Sequence, residues 1–347
     1  MATTKFMKGN EAAAEAAIRC GLDAFFGYPL TPSSEVPEYI AAHFGGIFVQ
    51  AESELASINM MIGASAGGNR VMTATSGCGF SLMTEGLSYL AAIELPAVVL
   101  DVMRVGPGVG SLEPTQGDYN QLKACGHGGH VLPVYAPSTV QEYADYTVKA
   151  FDVADKYRTP VVVAVDGSIG QMMESVTFSD ESPAPVEKPW SFRDSTDGHP
   201  RRVLRSNYGF APGSTHWADM FAKYELLSDE LQECEEYMTD DAEIIITAFG
   251  SVARKCKTVI KKARDEGIRA GLLRPISLVP FPVKAFAKYR GRDLKFLDIE
   301  MNNGLMRNDV IIALGTDRDI AFSRDYLGLM PKTSEMLEAV RKVKEGR

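Results

Sequence analysis

The sequence has few cysteines and none of the pairings that cysteine motifs need. Its five cysteines lie far apart along the chain, and no two of them form a CxxC pair. This spacing argues against a disulfide framework, a zinc site or an iron–sulfur cluster held by this chain. Any iron–sulfur chemistry would therefore belong to another chain.

Two further absences narrow the class of protein. Lys and Arg number 36 against 45 Asp and Glu, a formal net charge of -9, so a general binding surface for nucleic-acid phosphates is not expected. No apolar run approaches the roughly 20 residues that a membrane-spanning helix needs. The start, MATTKFMKGNEAAAEAA, lacks the pattern of a signal peptide. The sequence thus predicts a cytoplasmic protein that binds neither nucleic acid nor a membrane.

What is present is a long alternation of strands and helices. At 347 residues with 45% hydrophobic content, the chain can bury sizeable cores, and two domains are expected. Short Val-rich runs bounded by Gly or Pro alternate with helical patterns, which is typical of buried parallel strands. These runs are GGIFVQAE, NRVMTATS, PAVVLDVM, HVLPVYAP and TPVVVAVD. Ahead of them, EAAAEAAIRCGLDAFF is interpreted as an apolar helix. We predict an α/β domain over residues 1–175.

The remainder of the chain divides again. Within residues 176–240 the periodicity gives way to SDESPAPVEKPWSFRDSTDGHPRR, which is rich in Pro, Ser and charge and is interpreted as an extended connection, followed by a polar helix. Alternation resumes with the strand EIIITAF, the helix VARKCKTVIKKARDEG and the strand LKFLDIE. A second, smaller α/β domain is therefore predicted over residues 241–347.

The candidate functional residues lie where the predicted strands end. Open α/β sheets place their ligands at the carboxyl ends of their strands. Glu52 and Glu54 follow the strand GGIFVQ, and either carboxylate suits a ligand or a helix cap. The next strand leads into TSGCGFSLMTEG, where Gly77 and Gly79 allow close backbone approach. This spacing is a weak phosphate signature, and a tight turn that caps a helix explains it equally well.

The third strand end carries a guanidinium. Arg104 opens the loop RVGPGVGSLEPTQGDYNQ, which is long for a simple connection. Because arginine grips a carboxylate with two parallel hydrogen bonds, Arg104 suits a small acidic substrate, while an ion pair with Glu113 is the alternative.

Together these stretches carry a resemblance to a known family. MKGNEAAAEAAIRCG, FGYPLTPSSEVPEY, FVQAESELASINMMIGASAGG, SGCGFSLMTEGLSYLAAIELPAVV, MRVGPGVGSLEPTQGDYNQ and EMNNGLM resemble the pyrimidine-binding subunit of the 2-oxoacid:ferredoxin oxidoreductases, most of all the branched-chain, 2-oxoisovalerate type. The match runs over nearly the whole chain, including EKPW and GLLRPISLVPFP. The resemblance implies a parallel-sheet domain that binds the pyrimidine of thiamine diphosphate, followed by an α/β domain like the C-terminal domain of transketolase.

The resemblance also assigns roles to residues. The family's activating glutamate stands nine residues before a glycine, a spacing that Glu54 and Gly63 reproduce and Glu52 does not. Glu54 is expected to hydrogen-bond the pyrimidine of thiamine diphosphate and to favour the tautomer that acts as base. Pro29, Gly79 and Phe80 would also contact the cofactor, and Tyr28, Thr31 and Arg104 would contact the 2-oxoacid.

The resemblance explains the prolines of FGYPLTPSSEVPEY. In the family the YPxTP turn faces the substrate, so Pro29 and Pro32 would fix the backbone that aims Thr31. A rigid turn in which Ser33 or Ser34 caps the next helix is the structural alternative.

The implied reaction is oxidative decarboxylation of a 2-oxoacid to acyl-CoA and CO2, with electrons passed to ferredoxin. The chain has no GDG motif of the kind that binds the diphosphate through a metal. It is therefore expected to hold no metal and to share thiamine diphosphate with a β-type subunit that supplies Mg²⁺. A γ-type subunit, a ferredoxin-like subunit with 4Fe–4S clusters, external ferredoxin and the co-substrate coenzyme A complete the expected partners.

Several positions depart from the family. Its members usually read YPITP, SGPGFSLM, GGGHGDYR and EMNxGQM, where this chain has Leu30, Cys78, ACGHGGHV and Leu305. The altered ACGHGGHV loop leaves the acid open: branched-chain, 2-oxoglutarate, pyruvate or an aryl pyruvate. A non-oxidative thiamine decarboxylase half-subunit and a non-catalytic assembly subunit are the other classes considered. Domains like the C-terminal one usually serve assembly in the family, but a plain structural α/β module is the role expected here, so Glu300 and Asn302 are left out of the predicted site.

Overall fold

The fold is taken from a computed structural model, which describes residues 3–179, 186–192, 215–315, 319–324 and 330–346. Helices and strands alternate along most of this part of the chain. The strands are β1 (Thr3–Lys8), β2 (Ala24–Gly27), β3 (Ile47–Gln50), β4 (Val71–Thr75), β5 (Ala97–Met103), β6 (Val134–Tyr135), β7 (Pro160–Asp166), β8 (Met173–Phe178), β9 (Cys234–Tyr237), β10 (Ile244–Thr247), β11 (Ala270–Pro275), β12 (Ser277–Val279), β13 (Lys295–Glu300) and β14 (Ile320–Arg324). The helices are α1 (Gly9–Arg19), α2 (Glu35–His43), α3 (Glu54–Ala66), α4 (Gly77–Ala92), α5 (Tyr119–Lys123), α6 (Val140–Tyr157), α7 (Gly167–Gln171), α8 (His216–Glu230), α9 (Gly250–Asp265), α10 (Val283–Ala287), α11 (Arg307–Leu314) and α12 (Thr333–Glu345).

The larger sheet of the described residues has the strand order β12-β6-β7-β5-β4-β2-β3. Its strands are parallel except for β12, which runs antiparallel to β6. The strands β5 and β7 at its centre are buried along their whole length, as their mostly apolar sequence predicts. The predicted parallel α/β fold is confirmed.

The second sheet has the order β14-β13-β10-β11-β9 among the described residues, and only β9 in it is antiparallel to its neighbour. Helices α9 and α12 cover one face with Val252, Val259, Met336 and Val340. The other face shares a core with the first sheet, because Phe249 and Leu273 belong to the same buried cluster as Met83 and Leu122. The smaller α/β unit is therefore packed directly on the larger one.

One predicted element is wrong. EAAAEAAIRCGLDAFF is not one helix, because α1 ends at Arg19 and the residues Ala24–Gly27 form strand β2. Gly21 takes a φ of 89°, which breaks the helical repeat. The apolar run AFFG then fits a central strand that is buried on both faces.

Much of the predicted connection, residues 180–185 and 193–214, lies outside the described residues. The piece that is described packs on the first domain: Lys188 forms an ion pair with Asp155 at 2.9 Å, and Trp190 lies under the guanidinium of Arg158. The antiparallel pair β1 and β8, and strand β9, have no counterpart in the sequence-based prediction. Across the described chain, no helix combines the length and the apolar character needed to cross a bilayer.

Candidate active site

The predicted site residues lie at one edge of the larger sheet. Strands β5, β4, β2 and β3 are parallel neighbours, so the segments that follow them emerge side by side. These segments carry Arg104 after β5, Gly77 after β4, Tyr28 after β2 and Glu54 after β3. The sheet therefore brings together the strand ends that the sequence marked, as expected for a ligand-binding edge.

Glu54 is the first residue of α3 and is 5% exposed. The helix cap is Ser53, whose hydroxyl accepts a hydrogen bond from the Ala56 N–H at 3.1 Å. The carboxylate of Glu54 instead lies over Gly79, where a Cβ would come within 2.3 Å of Glu54 Oε1 and 2.2 Å of Thr75 Oγ1. The Thr75 hydroxyl has no hydrogen-bond partner among the described residues. A buried carboxylate beside an unpaired hydroxyl suits a polar ring that supplies the missing partners.

Gly79 should accept no side chain. We expect Gly79→Ala to displace the Glu54 carboxylate, to cost about 1–3 kcal/mol of stability through overpacking, and to lower turnover further than that loss explains. The matched control is Gly63→Ala in α3, where a Cβ meets nothing within 4 Å. Thermal unfolding and turnover of the two variants check this, and equal behaviour would contradict it.

Arg104 is buried, with 7% exposure, and its guanidinium has protein partners on both sides. Nη1 donates to the Thr31 carbonyl at 2.5 Å, and Nη2 lies 3.6 Å from Cys78 Sγ. The alternative pairing with Glu113 is not found, because the carboxylate of Glu113 accepts a hydrogen bond from Ser111. Arg104 thus connects the predicted substrate turn to the N-terminus of α4.

The turn after β2 is fixed by its neighbours. The Asn10 amide donates to the Pro32 carbonyl at 2.7 Å, and the Thr31 and Ser34 hydroxyls are 3.2 Å apart. Tyr28 and Pro29 are exposed beside them. Ser34 precedes α2 but its side chain makes no capping hydrogen bond, and the Ser33 hydroxyl donates to the Leu30 carbonyl. The helix-cap alternative therefore does not account for this turn.

The side chain of Phe80 is fully buried in the core shared by the two sheets. The residue has no exposed surface, so its cofactor contact stays a prediction from the family resemblance. Gly79, Glu54, Thr31 and Arg104 are placed near one another through the contacts described above, although Glu54 is separated from Arg104 by the first turn of α4.

A cavity of about 970 Å³ opens beside Arg104 and the first turn of α4. Both parts of the chain line it. The residues from the first part are Gly77, Cys78, Ser81, Arg104, Val105, Gly106, Pro107, Gly108, Thr115, Gly117, Asp118, Asn120 and Gln121, and those from the second part are Met301, Asn302, Asn303 and Leu305. The expectation that the C-terminal domain is a plain structural module is therefore too narrow, because residues of its EMNNGL loop line this cavity.

Hydrogen bonds hold that loop to the first domain. Gln116 exchanges backbone and side-chain hydrogen bonds with Met301, and its Nε2 donates to the Phe249 carbonyl at 2.8 Å. Asn302 Nδ2 donates to the Gln116 carbonyl at 2.9 Å and to Glu300 Oε2 at 2.8 Å. The position of the segment TQGD is thus set by the second domain.

The sequence-based analysis missed two carboxyl groups at this edge, Asp101 in β5 and Asp118 before α5. Asp101 is fully buried, and burial together with the charge of Asp118 raises its pKa well above the usual range. Burial raises the pKa of Asp118 to about 6. An aspartate inside the apolar run PAVVLDVM was the available signal, since a buried strand seldom carries an unpaired charge.

The altered loop ACGHGGHV lies elsewhere. Gly126 packs against the Thr84 carbonyl and Ser88 on the later turns of α4, and His127 Nδ1 is 3.3 Å from the Ser88 hydroxyl. None of the cavity-lining residues belongs to residues 124–131 in the described chain. The loop therefore does not contribute to the lining of this cavity.

Two family models match the chain. The model described as pyruvate flavodoxin/ferredoxin oxidoreductase, thiamine diphosphate-binding, matches residues 15–232. The model described as pyruvate:ferredoxin oxidoreductase core domain II matches residues 242–333. Between them the two matches include every predicted site residue and the EMNNGL loop.

Relatives and solved structures agree with these matches. The chain is 43% identical to the ketoisovalerate oxidoreductase subunit VorB of Methanothermobacter thermautotrophicus over 98% of both chains, and 36% identical to the 2-oxoglutarate synthase subunit KorA of the same organism over 88% of this chain and 89% of that one. The 2-oxoglutarate:ferredoxin oxidoreductase of Magnetococcus marinus, solved with 2-oxoglutarate, coenzyme A and succinyl-CoA bound, matches with a TM-score of 0.85 and 27% identity over 98% of this chain. The present chain spans 65% of that longer chain. A split-gene transketolase matches over 98% of both chains with a TM-score of 0.60 and 14% identity, which shows a shared fold alone.

Proposed function

Since this chain belongs to the pyruvate flavodoxin/ferredoxin oxidoreductase family, we propose that it provides the pyrimidine-binding half of the active site of a 2-oxoacid:ferredoxin oxidoreductase. The observation that carries the proposal is the placement of a buried carboxylate, Glu54 after β3, and a buried guanidinium, Arg104 after β5, at the same edge of one parallel sheet. The complete reaction would be decarboxylation of a 2-oxoacid to acyl-CoA and CO2, with two electrons passed to ferredoxin.

Each residue has a task in this proposal. Glu54 hydrogen-bonds the pyrimidine ring of thiamine diphosphate, and Gly79 leaves room for that ring beside the carboxylate. Arg104 grips the carboxylate of the 2-oxoacid, while its bond to the Thr31 carbonyl holds the turn against the substrate. When bound, thiamine diphosphate supplies the nucleophilic carbon and the electron sink for decarboxylation. The chain contributes positioning and charge.

We propose a branched-chain 2-oxoacid as substrate. Four of the residues that line the cavity beside Arg104 are apolar, and we call them the apolar wall: Val105, Pro107, Met301 and Leu305. A branched aliphatic chain is favoured by such a wall, whereas the second carboxylate of 2-oxoglutarate would lose hydration there without a cationic partner. Similarity over the full length to a ketoisovalerate oxidoreductase subunit supports the same choice.

The apolar wall makes a testable prediction. We expect Leu305→Gln to raise the KM for 2-oxoisovalerate about tenfold or more, within the range of about 10- to 200-fold that one apolar contact contributes to specificity, and to change the KM for 2-oxoglutarate much less. Ile312→Gln, at an exposed leucine-sized side chain of α11 outside the cavity, is the control. A parallel change for both acids would show that Leu305 does not contact the acyl chain.

The cofactors and partners follow from the incomplete site. We propose that thiamine diphosphate is shared with a β-type subunit that binds its diphosphate through Mg²⁺, and that a γ-type subunit and a ferredoxin-like subunit with 4Fe–4S clusters complete the complex. Coenzyme A would be the acyl acceptor, as the Magnetococcus marinus structure suggests by similarity.

We also propose a division of the chain into residues 1–175, 176–240 and 241–347. A separate core around α9 and α12 supports the last of these units.

The test is an assay of the complex purified with its own partner chains. Coenzyme A-dependent reduction of a viologen dye is measured with 2-oxoisovalerate, 2-oxoglutarate, pyruvate and an aryl pyruvate. The proposal expects 2-oxoisovalerate to give the highest kcat/KM. Preference for 2-oxoglutarate would overturn the substrate, and turnover without coenzyme A or dye would indicate a non-oxidative decarboxylase.

A further inference from the structure

Asp101 and Asp118 form a buried carboxyl pair behind the cavity. Asp101 stands in β5 beside Thr75 of β4 and is fully buried, with the backbone N–H of Gly77 as the polar group that favours its ionised form. Asp118 lines the cavity, and its two oxygens would lie 3.4 and 3.5 Å from a Cβ on Gly77. Asp118 Oδ1 accepts a hydrogen bond from Gln121 Nε2 at 2.8 Å, while Oδ2 is buried without a partner. The pair thus connects the sheet interior to the cavity surface.

The surroundings of the pair decide which carboxyl ionises first. Asp101 is sealed between strands and is further disfavoured as an anion by the charge of Asp118. The N–H of Gly77 lowers the pKa of both carboxyls, but Asp118 also has the Gln121 amide and the positive charge of Arg104, which partly offset its burial. Two neighbouring buried carboxyls do not both ionise at neutral pH. Asp101 therefore keeps a proton while Asp118 exchanges one.

The charged and titratable groups around the pair are few. Arg104 faces Asp118 from the end of β5, and Tyr143 of α6 is affected by the charge of Asp101. Glu54 approaches from α3 on the far side of Gly79. The facing positions Thr75 and Ala164 of the adjacent strands are uncharged. Arg104 is thus the cation whose charge Asp118 offsets within the cavity.

We propose that Asp118 controls substrate affinity by its charge: as an anion in the cavity that Arg104 also lines, it offsets the attraction of the guanidinium for the substrate carboxylate, and when protonated it no longer does so. Substrate binding then takes up a proton, because the arriving carboxylate repels the Asp118 anion. The two effects are reciprocal, so the factor by which protonation tightens binding equals the factor by which substrate raises the proton affinity of Asp118. This inference rests on the proposed binding of a 2-oxoacid carboxylate by Arg104.

The KM for the 2-oxoacid should rise with pH. A 2-oxoacid stays ionised across the working range, so its own charge does not change. Burial raises the pKa of Asp118 to about 6 in the free site. We expect the KM for the 2-oxoacid to be low at pH 5 and to rise about tenfold, a common size for coupling between adjacent sites, as the pH rises through that value. The kcat should show no matching change.

Three variants and a control test the assignment. Asp118→Asn should give a KM that is low and independent of pH. Gln121→Met removes the donor that lowers the pKa of Asp118, together with the hydrogen bonds of Gln121 to Gly77 and Ser81, so the midpoint should move to higher pH. Thermal unfolding verifies that this variant is folded. Asp101→Asn mimics the protonated acid and should leave the midpoint in place. Asp145→Asn, at an acid of α6 outside the cavity whose pKa burial also raises, should match the wild type.

Calorimetry provides a readout that does not depend on turnover. The binding of 2-oxoisovalerate to the purified complex is measured at pH 7 in buffers of different ionisation enthalpy. A tenfold coupling raises the proton affinity of Asp118 tenfold, so the proposal expects uptake of roughly 0.4 proton at this pH, which is absent in Asp118→Asn. A wild-type KM that is flat between pH 5 and 8, or an unchanged pH profile in Asp118→Asn, would overturn the assignment even if the dye assay confirms the enzyme. Failure of every 2-oxoacid in the dye assay, with proton-linked binding intact, would instead overturn the proposed reaction.

Discussion

Glu54→Gln should reduce kcat about a hundredfold to ten-thousandfold, the usual contribution of a positioned proton-transfer group, while the complex stays folded. Glutamine keeps the shape of Glu54 beside Gly79 but cannot accept a proton or balance a positive charge on the pyrimidine. Steady-state dye reduction measures the loss, and thermal unfolding verifies the fold.

Two nearby variants separate this effect from stability. Glu52→Gln alters an exposed carboxylate two residues earlier and should retain the wild-type rate. Ser53→Ala removes the hydroxyl that caps α3 and should cost about 1 kcal/mol of stability with little effect on kcat. If Glu54→Gln turned over at the wild-type rate, or if Glu52→Gln lost activity equally, the assignment of Glu54 would be wrong.

Arg104→Met should raise the KM for the 2-oxoacid about 10- to 150-fold, the equivalent of one to two hydrogen bonds to a charged group, with a smaller change in kcat. The side chain is buried, so its loss also frees the Thr31 carbonyl and leaves Asp118 without its nearest cation. The KM measured at pH 7 for wild type and variant gives the comparison.

Arg104→Lys refines the result. Lysine keeps the charge but lacks the planar fork that reaches the Thr31 carbonyl and the substrate together, so an intermediate KM is expected. The matched control is Arg254→Met, since the Arg254 guanidinium pairs with Glu174 away from the cavity. A KM unchanged in Arg104→Met would remove this residue from the substrate site.

Local pattern was sufficient to predict the central strands. The runs that became β4, β5 and β7 are short and mostly apolar, and Gly or Pro residues bound them, so the hydrophobic pattern and these boundaries identified the strands. The strand β2 was missed because AFFG follows an alanine-rich helix and is apolar under either interpretation. The pairing of β1 with β8 joins residues more than 160 positions apart, which no local pattern specifies.

Some residues of the site were also predictable from local pattern, and others were not. Glu54 and Arg104 stand directly after predicted strands, so their neighbourhood follows from the rule that parallel strands end at one edge. The second wall, with Met301 and Leu305, depends on how one domain packs on the other, and the sequence pattern contains no information about that contact. Asp118 lies 17 residues beyond Asp101 in a loop, and their pairing likewise required the folded chain.

The position of strand β12 determines whether the N-terminal half of the chain can be expressed alone. The strand belongs to the C-terminal half, yet it pairs with β6 and forms the border of the larger sheet. An N-terminal half expressed alone would expose the backbone of β6 as an open edge, which invites aggregation, and would also lose the Gln116 anchor. Although two family models describe the two halves separately, we expect the two halves to fold stably only when they are expressed together.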